Sequence, residues 1–371
     1  MQAVTNPLEA PARTPAQRWM GYLPGILLTG AIAMLANELS KGAWMQAHGI
    51  SALTLAIVIG MIAGNTFYPR LAGVSARGVA FSKQTLLRAG IILYGLRLTF
   101  QDIGRVGAVG VMVDAIVLSS TFVLSCWAGT RLFGLNRRTA MLIGAGSSIC
   151  GAAAVMATEP VVRGRAEEVS IAVSTVVAFG TLAIFLYPAL YHLNERLHWV
   201  SITPFAYGIF TGSTVHEVAQ VVAAGKAVAD AAANTAVITK LVRVMMLAPF
   251  LVLLSAYLSR HSEQGTTPAI NTSPHPWRGV IPWFALGFIA VAGFNSLALL
   301  PHAVVSTAID ADTLILATAM AALGVSTQVA AIREAGVKPL ALAALLFGWL
   351  IFGGFAINTG ISALFAKLLG H

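Results

Sequence analysis

Apolar runs of 16 to 30 residues recur along the whole chain, and no other feature of the sequence restricts its fold so tightly. Inside a bilayer every backbone N–H and C=O must find a partner within the protein, which leaves helices and closed barrels as the spanning structures. A barrel needs segments of about 10 residues with alternating polarity, and none is visible here. The chain therefore reads as an all-α polytopic membrane protein. Its composition agrees, with 57% hydrophobic residues, 10% charged residues and a mean hydropathy of +0.80, far from the balance of a soluble domain.

Windows near 20 residues predict eleven spans, at 19–38, 50–68, 83–100, 106–129, 139–158, 167–190, 203–224, 231–258, 279–299, 312–332 and 338–368. Residues 1–18 form a polar N-terminal tail, and the apolar run after it is full length without a small-residue cleavage site, so it is expected to be retained. The formal charge of +9 comes from 23 Lys and Arg dispersed between apolar runs, a pattern that suits topology and excludes a nucleic-acid partner. Thirteen of them fall in loops on the side of the N-terminus and six on the other, which predicts a cytoplasmic N-terminus. The longest polar segment, 259–278, then becomes a cytoplasmic linker.

A weak internal echo organises the chain further. SKQTLLRAGIILYG resembles ITKLVRVMMLAPF, and GAGSSICGAAAVMATEPVVRGRAEEVSIAVS resembles AALGVSTQVAAIREAGVKPLALAA. The first span and its loop occupy 19–49, repeat one 50–190 and repeat two 203–371, with five helices in each repeat. An odd number of spans per repeat inverts one unit relative to the other, the arrangement of transporters whose substrate sites lie where interrupted helices meet.

Gly144, Gly146, Ser147, Ser148 and Gly151 give the fifth span the composition of a helix that unwinds partway, and Gly324, Ser326, Thr327 and Gln328 supply its counterpart in the tenth. Each interior glycine costs roughly 1 kcal/mol relative to alanine, and unwound backbone at membrane depth must be covered by protein or water. Close packing through small residues is the competing explanation. If the fifth span does unwind, the N–H groups following Ser147 and Ser148 would attract an anion. Cys150 would then line the same cavity. In the seventh span, FTGSTVHEVAQVVAAG carries Thr211, Ser213, His216, Glu217 and Gln220. His216 and Gln220 are four apart on one expected helical face, and His216 with Glu217 offers a proton relay or a packing pair. No metal is expected, because the second histidine of a zinc HExxH site is replaced by Gln220.

Lys240 and Arg243 lie deep in the eighth span on one face, and a deep arginine needs an anionic partner, either internal or a bound oxyanion. Arg88 and Arg97 lie nearer the ends of the third span, and Asp114 is the carboxylate well inside the first half. Asn295 and Ser296 close the ninth span, as cavity-lining groups or as a cap. Four basic candidates against two acidic ones favour an anionic substrate over a cation.

GSSICGAAAV, TVHEVAQVVAAG, ITKLVRVMMLAP, LRAGIILYGLRLT and AMAALGVSTQ followed by GVKPL resemble the bacterial family of proposed sulfate exporters, over about 21–369. The resemblance implies an inner-membrane secondary transporter in the broad fold group of sodium/proton antiporters and bile-acid symporters, with sulfate or an organosulfonate as substrate. It implies the motif residues as site residues, with Gly146, Ser147, Ser148, Cys150, Gly151, Lys240, Arg243, Ser326 and Thr327 toward the anion; Thr211, Ser213 and Asn295, polar residues of the spans outside those motifs, are expected beside them. His216, Glu217, Gln220 and Asp114 would handle a coupling proton or sodium ion. The expected partners are a small anion, the lipid bilayer and a second copy in a homodimer; no cofactor is expected. Two other functions compete. One is a cation or proton antiporter using Asp114 and Glu217, and the other is a membrane enzyme with Cys150 as nucleophile.

Overall fold

The computed structural model describes residues 20–42, 44–45, 51–261 and 283–368. The tail 1–18 and most of the linker 259–278 lie outside the described residues. Among these, every regular element is helical: α1 (Leu23–Ser40), α2 (Ala52–Asn65), α3 (Tyr68–Phe81), α4 (Leu87–Tyr94), α5 (Phe100–Arg131), α6 (Arg137–Ser148), α7 (Ala152–Val162), α8 (Ala166–Leu197), α9 (Pro204–Thr214), α10 (Val218–Lys226), α11 (Asp230–Met245), α12 (Leu247–His261), α13 (Trp283–Ser296), α14 (His302–Ser326), α15 (Val329–Glu334) and α16 (Val337–Leu368). Six helical stretches are long and apolar enough to cross a membrane: α1, α5, α8, the run through α11 and α12, α14, and α16. Helices α2, α7 and α13 are apolar but shorter.

Local chemistry sets the boundaries. The expected third span begins earlier than 83, because a π-turn over Ser82–Leu86 joins α3 to α4 without a loop. The stretch α5 opens at Phe100, where Thr99 and Asp102 form a capping box that satisfies two orphan N–H groups, and it kinks at Gly107 (φ 37°), so the long helix beyond the kink starts close to the expected 106. The tenth helix begins at His302 rather than 312; its first turns are polar, and hydropathy alone could not find them.

The helices pack as two bundles. In bundle one α14 lies along α2 and α1, with α3, α4 and α13 around them. Bundle two holds α5 to α12 and α16, built on the pairs α9 with α11, α5 with α6 and α5 with α16. Between the bundles helix contact is thinner, where α10 meets α2, α13 meets α5 and α11, and α15, which follows α14, meets α8. An apolar core still crosses this seam: Ile57 and Leu323 of bundle one share it with Ile149, Val222 and Leu241 of bundle two.

Candidate functional site

Two helices of bundle two are broken, and the breaks face each other. The first lies at Ile149, Cys150 and Gly151, between α6 and α7. Gly151 has φ 69° and ψ −137°, a conformation that glycine adopts without strain. A Cβ there would also sit 2.9 Å from Glu217 Oε1. The second break lies at Val215, His216 and Glu217, between α9 and α10, with Val215 and Glu217 extended.

A broken helix exposes carbonyls at the end of its first half and N–H groups at the start of its second, and buried orphans of either kind are costly. Here charged side chains satisfy both. Lys240 Nζ donates to the carbonyls of Ile149 at 2.6 Å and Val215 at 2.7 Å, one from each broken helix. Arg243 donates through Nε to Ser148 O at 2.6 Å and through Nη2 to Ser147 O at 2.9 Å. Its Nη1 reaches Ser213 O on the other helix. Both cations thus sit at the negative ends of the α6 and α9 dipoles, where the field favours them. Glu217 does the reverse. Its carboxylate accepts from Ala152 N at the start of α7 (3.4 Å) and caps the first turn of α10, while Gln220 Oε1 accepts from Glu217 N at 3.0 Å.

This arrangement corrects several expectations. Ser147 and Ser148 end the first half-helix instead of starting the second, so their carbonyls face cations; beyond them the N–H groups of Ile149 and Gly151 donate to Ala145 O and Gly146 O, and that of Ala152 to Glu217. His216 and Gln220 share no helical face, because the helix breaks between them; Gln220 is the capping partner of Glu217. His216 is buried, its ring centroid 6.4 Å from that of Phe347, and among the described residues its Nδ1 has no hydrogen-bond partner. Cys150 is buried in the break. Thr211 and Ser213 lie in the last turn of α9, both buried, and Ser213 Oγ accepts from Asn358 of α16 at 3.1 Å. Asp114 on α5 is fully buried, lies within electrostatic reach of Arg243 and Lys240, and among the described residues neither of its carboxylate oxygens has a hydrogen-bond partner. Ser147 Oγ is likewise buried, without a partner among the described residues.

Other candidates lie elsewhere. Ser326 and Thr327 end α14 in bundle one, and their hydroxyls return to the carbonyls of Ala322 and Leu323. The break that follows them is bridged by Asn65, which donates to Thr327 O and accepts from Val329 N, each at 2.9 Å. Asn295 donates to Leu98 O at 3.0 Å, a tie between α13 and the turn before α5. Arg88 is exposed.

Arg97 is paired with Asp312 at 3.2 Å. Asp312 stood at the edge of the expected tenth span and was absent from the interior charges; with it, Arg97, Lys240 and Arg243 face Asp114, Glu217 and Asp312. Among the described residues Glu168 is buried as well, so the four-to-two excess of cations does not hold. Asn65, Asn358 and Asp312 are the polar contributors that hydropathy could not single out. A larger groove of about 990 Å³, between α5, α6 and α12, is lined mainly by apolar side chains such as Phe122, Met141 and Phe250 and lies apart from the breaks.

Sequence comparison adds kinship. The family model described as Conserved hypothetical protein 698 matches residues 24–343. A UPF0324 membrane protein of Pseudomonas aeruginosa is 60% identical over 353 residues, 94% of this chain and 97% of the relative. One from Yersinia pestis is 57% identical over 91% of this chain and 92% of its own length. The UPF0324 inner membrane protein YeiH of Escherichia coli K12 is 53% identical over 93% and 96%. No solved structure matches the chain.

Proposed function

The chain belongs to the UPF0324 family of membrane proteins, and from that premise we propose that it is a secondary transporter working by alternating access. One observation carries the reading: two helices break at facing points inside a membrane protein, and the four exposed ends are neutralised by Lys240, Arg243 and Glu217. A merely structural bundle has no use for such an arrangement, since unbroken helices would satisfy the same backbone groups internally. Broken helices near the midplane are where transporters of inverted-repeat design hold their cargo. Relative movement of bundle two against bundle one, across their thin seam, would expose the breaks to one side and then the other. In this reading the protein crosses the inner membrane eleven times from a cytoplasmic N-terminus, as two inverted five-helix units.

The proposed cargo is a small sulfate- or sulfonate-like oxyanion. Lys240 and Arg243 keep N–H groups beyond those given to carbonyls, and the unpartnered Ser147 hydroxyl lies on the same half-helix end. The resemblance to proposed sulfate exporters points the same way. A second reading, cation or proton antiport, is favoured by Asp114, whose buried carboxylate has no hydrogen-bond partner. Purified protein reconstituted in vesicles decides between them. The first predicts flux of sulfate or an alkanesulfonate under a pH or sodium gradient, abolished in Glu217→Gln. Absence of such flux under every gradient would overturn it, and cation flux that disappears in Asp114→Asn would replace it with the second.

A further inference from the structure

The groove of about 990 Å³ between α5, α6 and α12 follows from the path of the chain. Helix α5 packs along α6 and α11, whereas α12, which leaves α11 at the turn of Met246, packs on α7 instead. The two helices therefore diverge, and the floor between them is apolar. Leu118, Met141 and Leu254 are buried there, and Phe122 meets Phe250 edge to face with ring centres 4.9 Å apart. Ala115 and Thr130, which bound the groove along α5, are about 22 Å apart at the helical rise. That exceeds the roughly 15 Å of hydrocarbon in one leaflet.

Charge is confined to one end of the groove. Arg137 donates through Nη2 to the Tyr257 hydroxyl at 3.3 Å, with its guanidinium 5.7 Å from the centre of that ring. Trp127, 54% exposed, lines the wall one turn before Thr130. Arginine beside tyrosine and tryptophan is the chemistry of a membrane interface. Arg131 and Arg138, at the ends of α5 and α6 that flank the same loop, are exposed. Among the described residues none of these three cations has an ion-pair partner, and no carboxylate lines the groove.

In a bilayer the apolar length selects nothing by itself, because acyl chains are as well off beside one another as against the protein. Selection falls to the charged mouth. A phosphodiester there would accept from the N–H groups of Arg137 that Tyr257 does not use. Net charge then separates the candidates: an anionic phospholipid brings one negative charge to three cations, whereas a zwitterionic one also brings its ammonium group to them. We infer that the groove binds an anionic phospholipid of the phosphatidylglycerol class, its phosphodiester on Arg137 and an acyl chain running along α5 toward Ala115. The site is independent of what the protein carries.

Native mass spectrometry of the full-length protein in detergent tests it, with dioleoyl phosphatidylglycerol and dioleoyl phosphatidylcholine titrated separately and the affinity of the first bound lipid read for each. The wild type should hold the anionic lipid several-fold more tightly. Arg137→Gln should weaken that binding about fivefold, the worth of one arginine against an anionic headgroup, and leave phosphatidylcholine nearly unchanged. Arg138→Gln, at the same loop but outside the lining, should alter neither appreciably. Ser119→Trp, which places a large ring in the groove from an exposed position, should weaken both lipids. Equal affinity for the two lipids in the wild type, or an Arg138→Gln effect as large as that of Arg137→Gln, would overturn the site in favour of diffuse surface charge. Wild-type affinity in Ser119→Trp would mean that no chain enters the groove. A dimer that shows no lipid preference and dissociates in Ser119→Trp would give the groove to a second copy instead.

Discussion

Two segments of this chain look alike in sequence and behave differently in the fold. Residues 144–151 and 322–329 are both small-sided, with glycine, serine and a break. The first ends in a break whose carbonyls are held by Lys240 and Arg243 and whose N–H group is held by Glu217. The second runs as regular helix to Ser326, pressed so closely against α2 that a Cβ on Gly324 would collide with the Ile57 carbonyl, and its break is bridged by the neutral amide of Asn65. Small residues permit both outcomes. Which one occurs depends on whether the opposing helix brings charge or another small surface.

The contrast can be attacked by removing what holds each break. Arg243→Gln should have the largest effect. It takes the charged donor from three buried carbonyls, those of Ser147, Ser148 and Ser213, and breaking a buried charged contact of this kind costs about 3–5 kcal/mol. Thermal unfolding in detergent should show a large fall in midpoint, or no monodisperse protein at all. Gly151→Ala comes next, at about 1–3 kcal/mol for a strained left-handed residue, and its Cβ displaces Glu217. Transport per folded molecule should therefore fall as well. Gly324→Ala should destabilise by overpacking, in the range of about 1–3 kcal/mol, with transport per folded molecule preserved. Equal flux in the two glycine variants would break the comparison. Asn65→Ala, which removes two neutral hydrogen bonds at the second break, should cost about 1–2 kcal/mol; a loss exceeding that of Arg243→Gln would reverse the assignment of which break depends on charge.

The sequence made the helical class legible, because apolar runs of this length admit no other architecture. It also pointed to the first break through Gly151, whereas Gly144 and Gly146 lie inside regular helix α6 and serve close packing, against Ser125 and against Val155 and Val176. The second break was hidden. Val215, His216 and Glu217 contain no glycine or proline, and the spacing of Glu217 and Gln220 as a capping pair was the one available signal. Lys240 and Arg243 were recognisable as deep cations, but their partners are backbone carbonyls created by the breaks, and no residue pattern announces a carbonyl. Asp312 escaped for a different reason. It lies in a helix whose first turns, His302 to Asp312, are polar enough to read as loop, so its pairing with Arg97 depends on tertiary packing that hydropathy does not report.

The smallest expected effect is also the most selective. Ser147 and Ser326 are both serines in the last turn of a helix before a break. Ser326 Oγ is satisfied by the carbonyl of Ala322 at 2.8 Å, four residues back, a bond that does little for the helix that makes it. Ser147 Oγ is buried without a partner. On stability alone Ser326→Ala should fall within about 0.5 kcal/mol of the wild type, and Ser147→Ala should be neutral or slightly stabilising, since it removes a buried hydroxyl that makes no bond. Function should separate them: if the Ser147 hydroxyl waits for cargo, Ser147→Ala raises the half-saturating sulfate concentration in vesicles several-fold while Ser326→Ala leaves it unchanged. Identical concentration dependence in the two variants would mean that the crossing holds its cargo without this hydroxyl, and that charge alone distinguishes the two breaks.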